Sequence, residues 1–478
     1  MQSIKQASLS GAKWGAIEKF SVQGARFVLG IIMARLLTPE DYGVISMLTI
    51  FLVISETFVD SGFSLALVRQ KKSSEKDFST VFYFNIVLSI ICYSILFLSA
   101  PYIAEFFHAP IITDILRVLS LTVVINSMMA VHVAKLTIDL DFKAISIRSL
   151  LSSIISGVGG VILAYIGFGV WALVWQSLIC SIINLVFVLM YCRWIPQLQF
   201  SKDSFKRLFA FGGNILLVNI INRIYMNLTS IVIGRFFNPK ALGYYDRGTS
   251  LAVFPVSNIN GILSKITLPI LAKIQDDDER MINVYRKYIS VMSLVIFFSC
   301  CLLASQARPV IMLLFGSKWE VSIVYLQVFV FAAMFDHICS INLSLLQAKG
   351  RSDLFLKLEL WKKTISTLIL FASIPFGVMG ICVSKIIYTQ IAIIFNTYYT
   401  GKFFGLTYFK QIKDFLPYFF WSVIACVPSF IISLCGLPHI VSLSLGMVCS
   451  TVIYYMIVRK SEAMLEIKML IADKFKKK

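Results

Sequence analysis

Residues 34–43 read ARLLTPEDYG, and 200 residues further on the chain reads GRFFNPKALG, at 234–243. Arg35 and Arg235, Pro39 and Pro239, and Gly43 and Gly243 are identical, and Leu36-Leu37 becomes Phe236-Phe237. Each copy ends an odd-numbered apolar span and turns into the next. Six spans separate the copies, an even number, so both halves enter the membrane in the same orientation. This is a parallel repeat, of the kind that places a binding site at the interface of two halves. A fainter echo pairs Phe106-Phe107 before the fourth span with Leu314-Phe315 before the tenth.

The rest of the chain fits that frame. Of 478 residues, 58% are hydrophobic and only 14% charged, with a mean hydropathy of +0.82. Soluble domains carry about 45–50% apolar and about 25% charged residues. Roughly 277 apolar residues come close to the about 280 that fourteen helices of about 20 residues need. The expected fold is an all-α polytopic membrane protein with about fourteen transmembrane helices. Expected spans include 13–36, 42–68, 112–136, 146–166, 208–237, 242–271 and 320–348. The loops are short, and none can fold as a separate catalytic domain. Two six-helix lobes, 1–200 and 201–402, precede a helix pair at 403–458 and a basic cytoplasmic tail at 459–478. Lys13, Glu18, Lys19 and Arg26 interrupt any clean signal-peptide core, so the first span is expected to act as its own insertion signal.

Lys and Arg number 44 against 25 Asp and Glu, a net charge of +19. With the N-terminus inside, the inner segments hold 32 of these cations, the outer connections 7 and the spans 5. That asymmetry places both termini in the cytoplasm. It assigns most of the charge to topology and to contact with lipid head groups, not to nucleic acid. The ten cysteines lie scattered through apolar runs without a CxxC, and the four histidines sit far apart. They read as packing residues; neither a metal site nor a cofactor is expected.

Ionisable side chains in mid-membrane are costly and tend to face a cavity or a partner. Here they cluster on four spans. Lys19, Gln23, Arg26 and Gly30 share one face of the first, and Glu56 and Asp60, extended by Ser64, one face of the second. Asn219, Arg223, Asn227 and Ser230 line the seventh, and Asn258, Gly261 and Lys265 the eighth. The fifth span, among others, is expected to hold no interior charge. The pattern points to one water-filled cavity lined by spans one, two, seven and eight. Lys19, Arg26, Arg223, Lys265, Asn219 and Asn227 are its candidate substrate contacts. Two arginines in one cavity can grip a diphosphate bidentately; the plainer alternative is an internal Arg26–Glu56 ion pair. Glu56, Asp60 and Asp336 are candidates for coupling to H⁺ or Na⁺.

Enzyme signatures are thin. Asp139-Leu-Asp141 has the form of a metal-binding DxD but reads as a solvated loop, and the acidic run Asp276–Glu279 is balanced by Arg280, Arg286 and Lys287. No GxxxxGK[ST] loop is present, which argues against ATP hydrolysis.

The segments SGAKW (10–14), ARLLTPEDYG (34–43), DSGFSLALVRQK (60–71), IGRFFNPKALGYYDR (233–247), LPILAKIQDD (268–277), LFGSKW (314–319) and LLQAKGRSDL (345–354) together resemble one family. It is the Wzx-type polysaccharide flippases of the multidrug/oligosaccharidyl-lipid/polysaccharide exporter superfamily, nearest the branch that contains colanic acid exporters. The resemblance implies a two-lobed bundle of twelve core helices plus two, working by alternating access in the bacterial inner membrane. It implies that the cargo is a polyprenyl-diphosphate-linked oligosaccharide for surface polysaccharide synthesis, with a polymerase and chain-length proteins as expected partners. A multidrug or cation antiporter of the same superfamily is the first alternative, and a membrane polymerase or glycosyltransferase the second.

Overall fold

The structure is a computed structural model that describes residues 2–60, 62–70 and 73–476. The side chains of 2–13, 16, 17, 19, 211, 214, 262–266, 352 and 470–476 lie outside that description. All regular structure among the described residues is helical. The chain divides into two compact units, 1–243 and 244–478. The first contains α1 (Gln2–Leu36), α2 (Pro39–Asp60), α3 (Phe63–Arg69), α4 (Glu75–Phe106), α5 (Ile112–Leu119), α6 (Leu121–Ile138), α7 (Phe142–Tyr165), α8 (Val170–Tyr191) and α9 (Lys202–Phe236). After α10 (Pro239–Lys273), the second contains α11 (Asp278–Ser305), α12 (Ala307–Leu314), α13 (Ser322–Ala333), α14 (Asp336–Ala348), α15 (Ser352–Ser373), α16 (Gly377–Phe404), α17 (Tyr408–Leu434), α18 (His439–Val458) and α19 (Glu462–Lys476).

The repeat is a helix-stop-helix device built twice. After α1, Thr38 caps α2: Asp41 Oδ2 accepts from the Thr38 amide at 2.8 Å and from its hydroxyl at 2.7 Å, while the Asp41 amide donates back to Thr38 Oγ1 at 3.3 Å. In the second copy Asn238 Oδ1 accepts from the Ala241 amide at 2.7 Å. Both caps are followed by proline at the first helical position, where its missing N–H costs nothing. The copies also pack on each other. A Cβ on Gly43 would overlap the Pro239 carbonyl, and a Cβ on Gly243 would overlap the Pro39 carbonyl. Only glycine permits that reciprocal backbone approach.

Exposure along α4 shows why these helices belong in lipid. Val87, Ile90, Ile91, Ile95 and Leu98 face outward, whereas Asn85, Ser89 and Ala100 are buried. A helix in water turns its apolar side inward; α4 does the reverse. Among the described residues eleven helical segments are long and apolar enough to cross a membrane. One of them, 353–404, is 52 residues long. At about 1.5 Å per residue it would reach well over twice the roughly 30 Å hydrocarbon core. It is folded in two: a 3-10 turn at Ile374–Phe376 and Gly377, at φ 74°, reverse the chain, and α15 packs on α16.

Several spans that hydropathy reads as continuous are broken. The expected 42–68 span splits at Gly62, which takes a left-handed φ of 69°, giving α2 and α3. The 112–136 span splits at Ser120, and the 320–348 span at residues 334–335. In the first unit, the 192–201 connection is strapped across the start of α4. Trp194 Nε1 donates to Glu75, which also pairs with Lys135 at 3.0 Å, and Arg207 pairs with Asp77 at 2.6 Å. The Gln197 and Ser201 amides donate to the Ser79 and Thr80 hydroxyls, each at 3.0 Å. Phe63, Phe78, Val188, Trp194 and Leu208 form the apolar core beneath. In the second unit α11 packs on α17, and α17 on α18.

Candidate functional site

Polar groups from three elements meet inside the first unit. Glu56 and Asp60 lie four residues apart on α2 and so share a face. Asn126 Nδ2, from α6, donates to Glu56 Oε1 at 2.8 Å, and Ser64 Oγ, from α3, donates to Asp60 Oδ1 at 2.5 Å. A cavity of about 630 Å³ opens around them, lined among others by Glu56, Asp60, Ser64, Asn126, Thr137 and Arg148. The volume falls within the range of about 300–1,000 Å³ that small-molecule sites occupy. The lining of α6 alone runs from Val123 to Thr137, about 21 Å of helix.

Arg148 corrects one expectation, that the fifth span holds no interior charge. Asp141 Oδ1 caps α7 by accepting from the Ala144 amide at 3.0 Å, so the helix begins at Phe142 and Arg148 sits almost two turns inside it. The side chain is 8% exposed. Its Nη1 reaches Met129 Sδ at 3.9 Å, its Nε has no partner, and Glu18 acts on it electrostatically. Among the described residues no carboxylate forms an ion pair with it.

The other candidate residues are distributed as follows. Arg223, exposed on α9, lies within electrostatic reach of Glu56. Asn219 is exposed one turn earlier on the same helix, and Asn227 Nδ2 donates to the Arg223 carbonyl at 2.9 Å. Arg26 Nε donates instead to Ser153 Oγ on α7 at 3.2 Å. With Glu56 held by Asn126, the described contacts do not include an Arg26–Glu56 pair. The Lys19 and Lys265 side chains lie outside the described residues. The structure thus gathers Glu56, Asp60 and Arg223 and leaves Arg26 against α7. The space found within this unit is lined by the second, fourth and fifth spans.

In the second unit, Asp336 opens α14 with Lys385 and Lys362 acting on it electrostatically. Lys362 is itself paired with Glu359 on the same helix. The neighbouring His337 is fully occupied: Nδ1 donates to the Met334 carbonyl at 2.8 Å, so Nε2 accepts from the Ser293 hydroxyl at 2.9 Å. Further on, Tyr285, Asn342, Thr400 and Gln411 form a buried network joining α11, α14, α16 and α17. The Tyr285 hydroxyl donates to Gln411 Oε1 at 2.8 Å, Asn342 Nδ2 to the same oxygen at 3.0 Å and Thr400 Oγ1 to Asn342 Oδ1 at 2.8 Å. Gln411 Nε2 donates to the Leu406 carbonyl at 2.9 Å.

Sequence reasoning missed Arg148 and Asn126. Arg148 was reachable through the Asp141 cap, which sets the helix start. Asn126 carries a fainter signal, because Asn126, Ala130 and Thr137 recur at helical spacing along one small and polar face.

An all-helical bundle of apolar spans with an intramembrane polar cavity has the architecture of a multi-pass membrane transporter. The chain belongs to the polysaccharide biosynthesis protein family, whose model matches residues 32–324. It is 26% identical over 385 residues to the teichuronic acid biosynthesis protein TuaB of Bacillus subtilis (strain 168), a match covering 79% of this chain and 78% of that one. It is 25% identical over 366 residues to the lipopolysaccharide biosynthesis protein WzxC of Escherichia coli (strain K12), covering 75% and 74%. In fold it is similar to the lipid II flippase MurJ in an inward closed conformation, with a TM-score of 0.71 at 14% identity over 94% of this chain and 99% of that one. These relatives bear out the Wzx-type resemblance, and the family and its neighbours are transporters and flippases, not enzymes. The protein is a multi-pass inner-membrane protein serving polysaccharide biosynthesis.

Proposed function

We propose that this chain flips a polyprenyl-diphosphate-linked oligosaccharide from the inner to the outer leaflet by alternating access. The sugar and diphosphate cross through protein while the polyprenyl tail stays in lipid. The observation that supports this most is the cavity of the first unit: carboxylate, amide and hydroxyl groups suited to sugar hydroxyls, with Arg223 in reach, inside a member of a polysaccharide biosynthesis family. The proposal includes fourteen crossings with both termini inside, lobes at 1–200 and 201–402, a helix pair at 403–458 and a basic tail at 459–478. Glu56, Asp60 and Asp336 are its candidates for coupling to H⁺ or Na⁺. A polymerase and chain-length proteins would take up the flipped unit.

The test is reconstitution in liposomes with a fluorescent diphosphate-linked oligosaccharide and a readout of leaflet accessibility, with and without ion gradients. Transfer dependent on the protein is expected. Equal leaflet exchange in protein-free liposomes would contradict the reading. The pair of carboxylates in the cavity favours a second reading, a cation antiporter. Drug resistance on expression, without oligosaccharide transfer, would favour it over the first.

A further inference from the structure

We infer that Arg148 is the seat of the substrate's diphosphate in the first-unit cavity; the assignment rests on the flippase reading. A guanidinium inside a membrane-spanning helix is costly unless a counter-charge meets it. The other buried cation among the described residues is met, since Lys362 pairs with Glu359, whereas Glu18 acts on Arg148 electrostatically without forming an ion pair. Arg148 is as buried, yet its Nε has no partner and its Nη1 meets only the weak acceptor Met129 Sδ at 3.9 Å. It lines a cavity large enough for a ligand. Arginine is also the side chain whose planar fork matches two phosphate oxygens at once.

The surroundings orient the ligand. Arg148 reaches α6 at Met129, and Glu56 reaches it at Asn126. The cation and the carboxylate therefore sit about one turn apart along α6, roughly 4.5 Å of rise. Met129 is nearer the C-terminal end of α6, which is the inner end when both termini are inside. A diphosphate on Arg148 would place the first sugar against Asn126 and Glu56. The Glu56 carboxylate accepts hydrogen bonds from sugar hydroxyls and repels phosphate, which disfavours a diphosphate seated at Asn126.

The experiment uses the full-length protein in nanodiscs, with polyprenyl diphosphate and polyprenyl monophosphate as probes, in bilayers with and without phosphatidylglycerol. The wild type is expected to prefer the diphosphate by tenfold or more. Arg148→Gln is expected to lose that preference without a lower melting temperature, because it removes an unpaired buried charge. Arg148→Lys, which keeps the charge, should retain part of the preference, and it decides the matter if the glutamine variant does not fold. An unchanged diphosphate preference in a folded variant overturns the assignment while leaving the flippase reading intact. So does displacement of the diphosphate by phosphatidylglycerol on equal terms. A wild type that binds neither probe and transfers no oligosaccharide overturns the flippase reading itself.

Discussion

Both units bury polar groups within the membrane, and two such sites, the four-helix network of the second unit and the Arg148 wall of the first, treat them in opposite ways. In the second unit Tyr285, Asn342, Thr400 and Gln411 saturate one another across four helices, and His337 has a partner for each ring nitrogen. In the first unit Arg148 is buried with an unpartnered Nε, and the polar atoms near it border open space. Full satisfaction in a low-dielectric interior marks a brace, because every donor has its acceptor and nothing is left to offer a ligand. An incomplete set beside a cavity marks a place where something else supplies the missing partner. The contrast separates polar residues that hold helices together from those that handle cargo, a distinction that hydropathy alone does not make.

The strongest way to break this comparison is through the brace. Gln411→Leu would remove the partner of the Tyr285 hydroxyl and of the Leu406 carbonyl and one acceptor of Asn342 Nδ2. At about 1–3 kcal/mol for each buried group left unsatisfied, the loss should amount to several kcal/mol. A clearly lower melting temperature and reduced membrane levels are the expected readouts. A variant as stable as the wild type would show that the network is not a brace. A smaller effect sharpens the other half of the comparison. Arg223→Ala and Arg26→Ala are expected to slow oligosaccharide transfer several-fold at unchanged membrane levels. The Arg223 effect should be the larger, since that residue acts on Glu56 whereas Arg26 is tied to Ser153. Normal transfer by both variants would remove arginines outside the cavity wall from the account.

How much of this was legible in the sequence follows from how local each determinant is. The turn at 34–43 and its copy at 234–243 could be read because capping residue, proline and glycine act within one helical turn. The match between Gly43 and Pro239 could not, because it needs the two copies to be in contact. Gly62, Ser120 and residues 334–335 interrupt helices without lowering hydropathy, so the spans looked continuous. Glu56 and Asp60 stood out by spacing alone. Asn126 did not, since its importance comes from a bond to a helix 70 residues away. Arg148 was hidden because, two residues inside the expected 146–166 span, it was counted with the inner segment 135–148 as loop charge. Most of the +19 reports topology, as the count of inner and outer residues indicated, but one of the 32 inner cations belongs to the cavity.

The central claim is that a diphosphate-bearing head group passes outward through this protein, and membrane potential tests it most directly. An inside-negative potential favours outward transfer by about 2.3 kcal/mol per charge per 100 mV, hence about 4.6 kcal/mol for a head group of about −2. In liposomes with an imposed potassium diffusion potential, transfer of the fluorescent diphosphate-linked oligosaccharide should accumulate label in the outer leaflet when the interior is negative and lose that bias when the sign is reversed. A leaflet distribution indifferent to both the sign and the size of the potential would contradict the account.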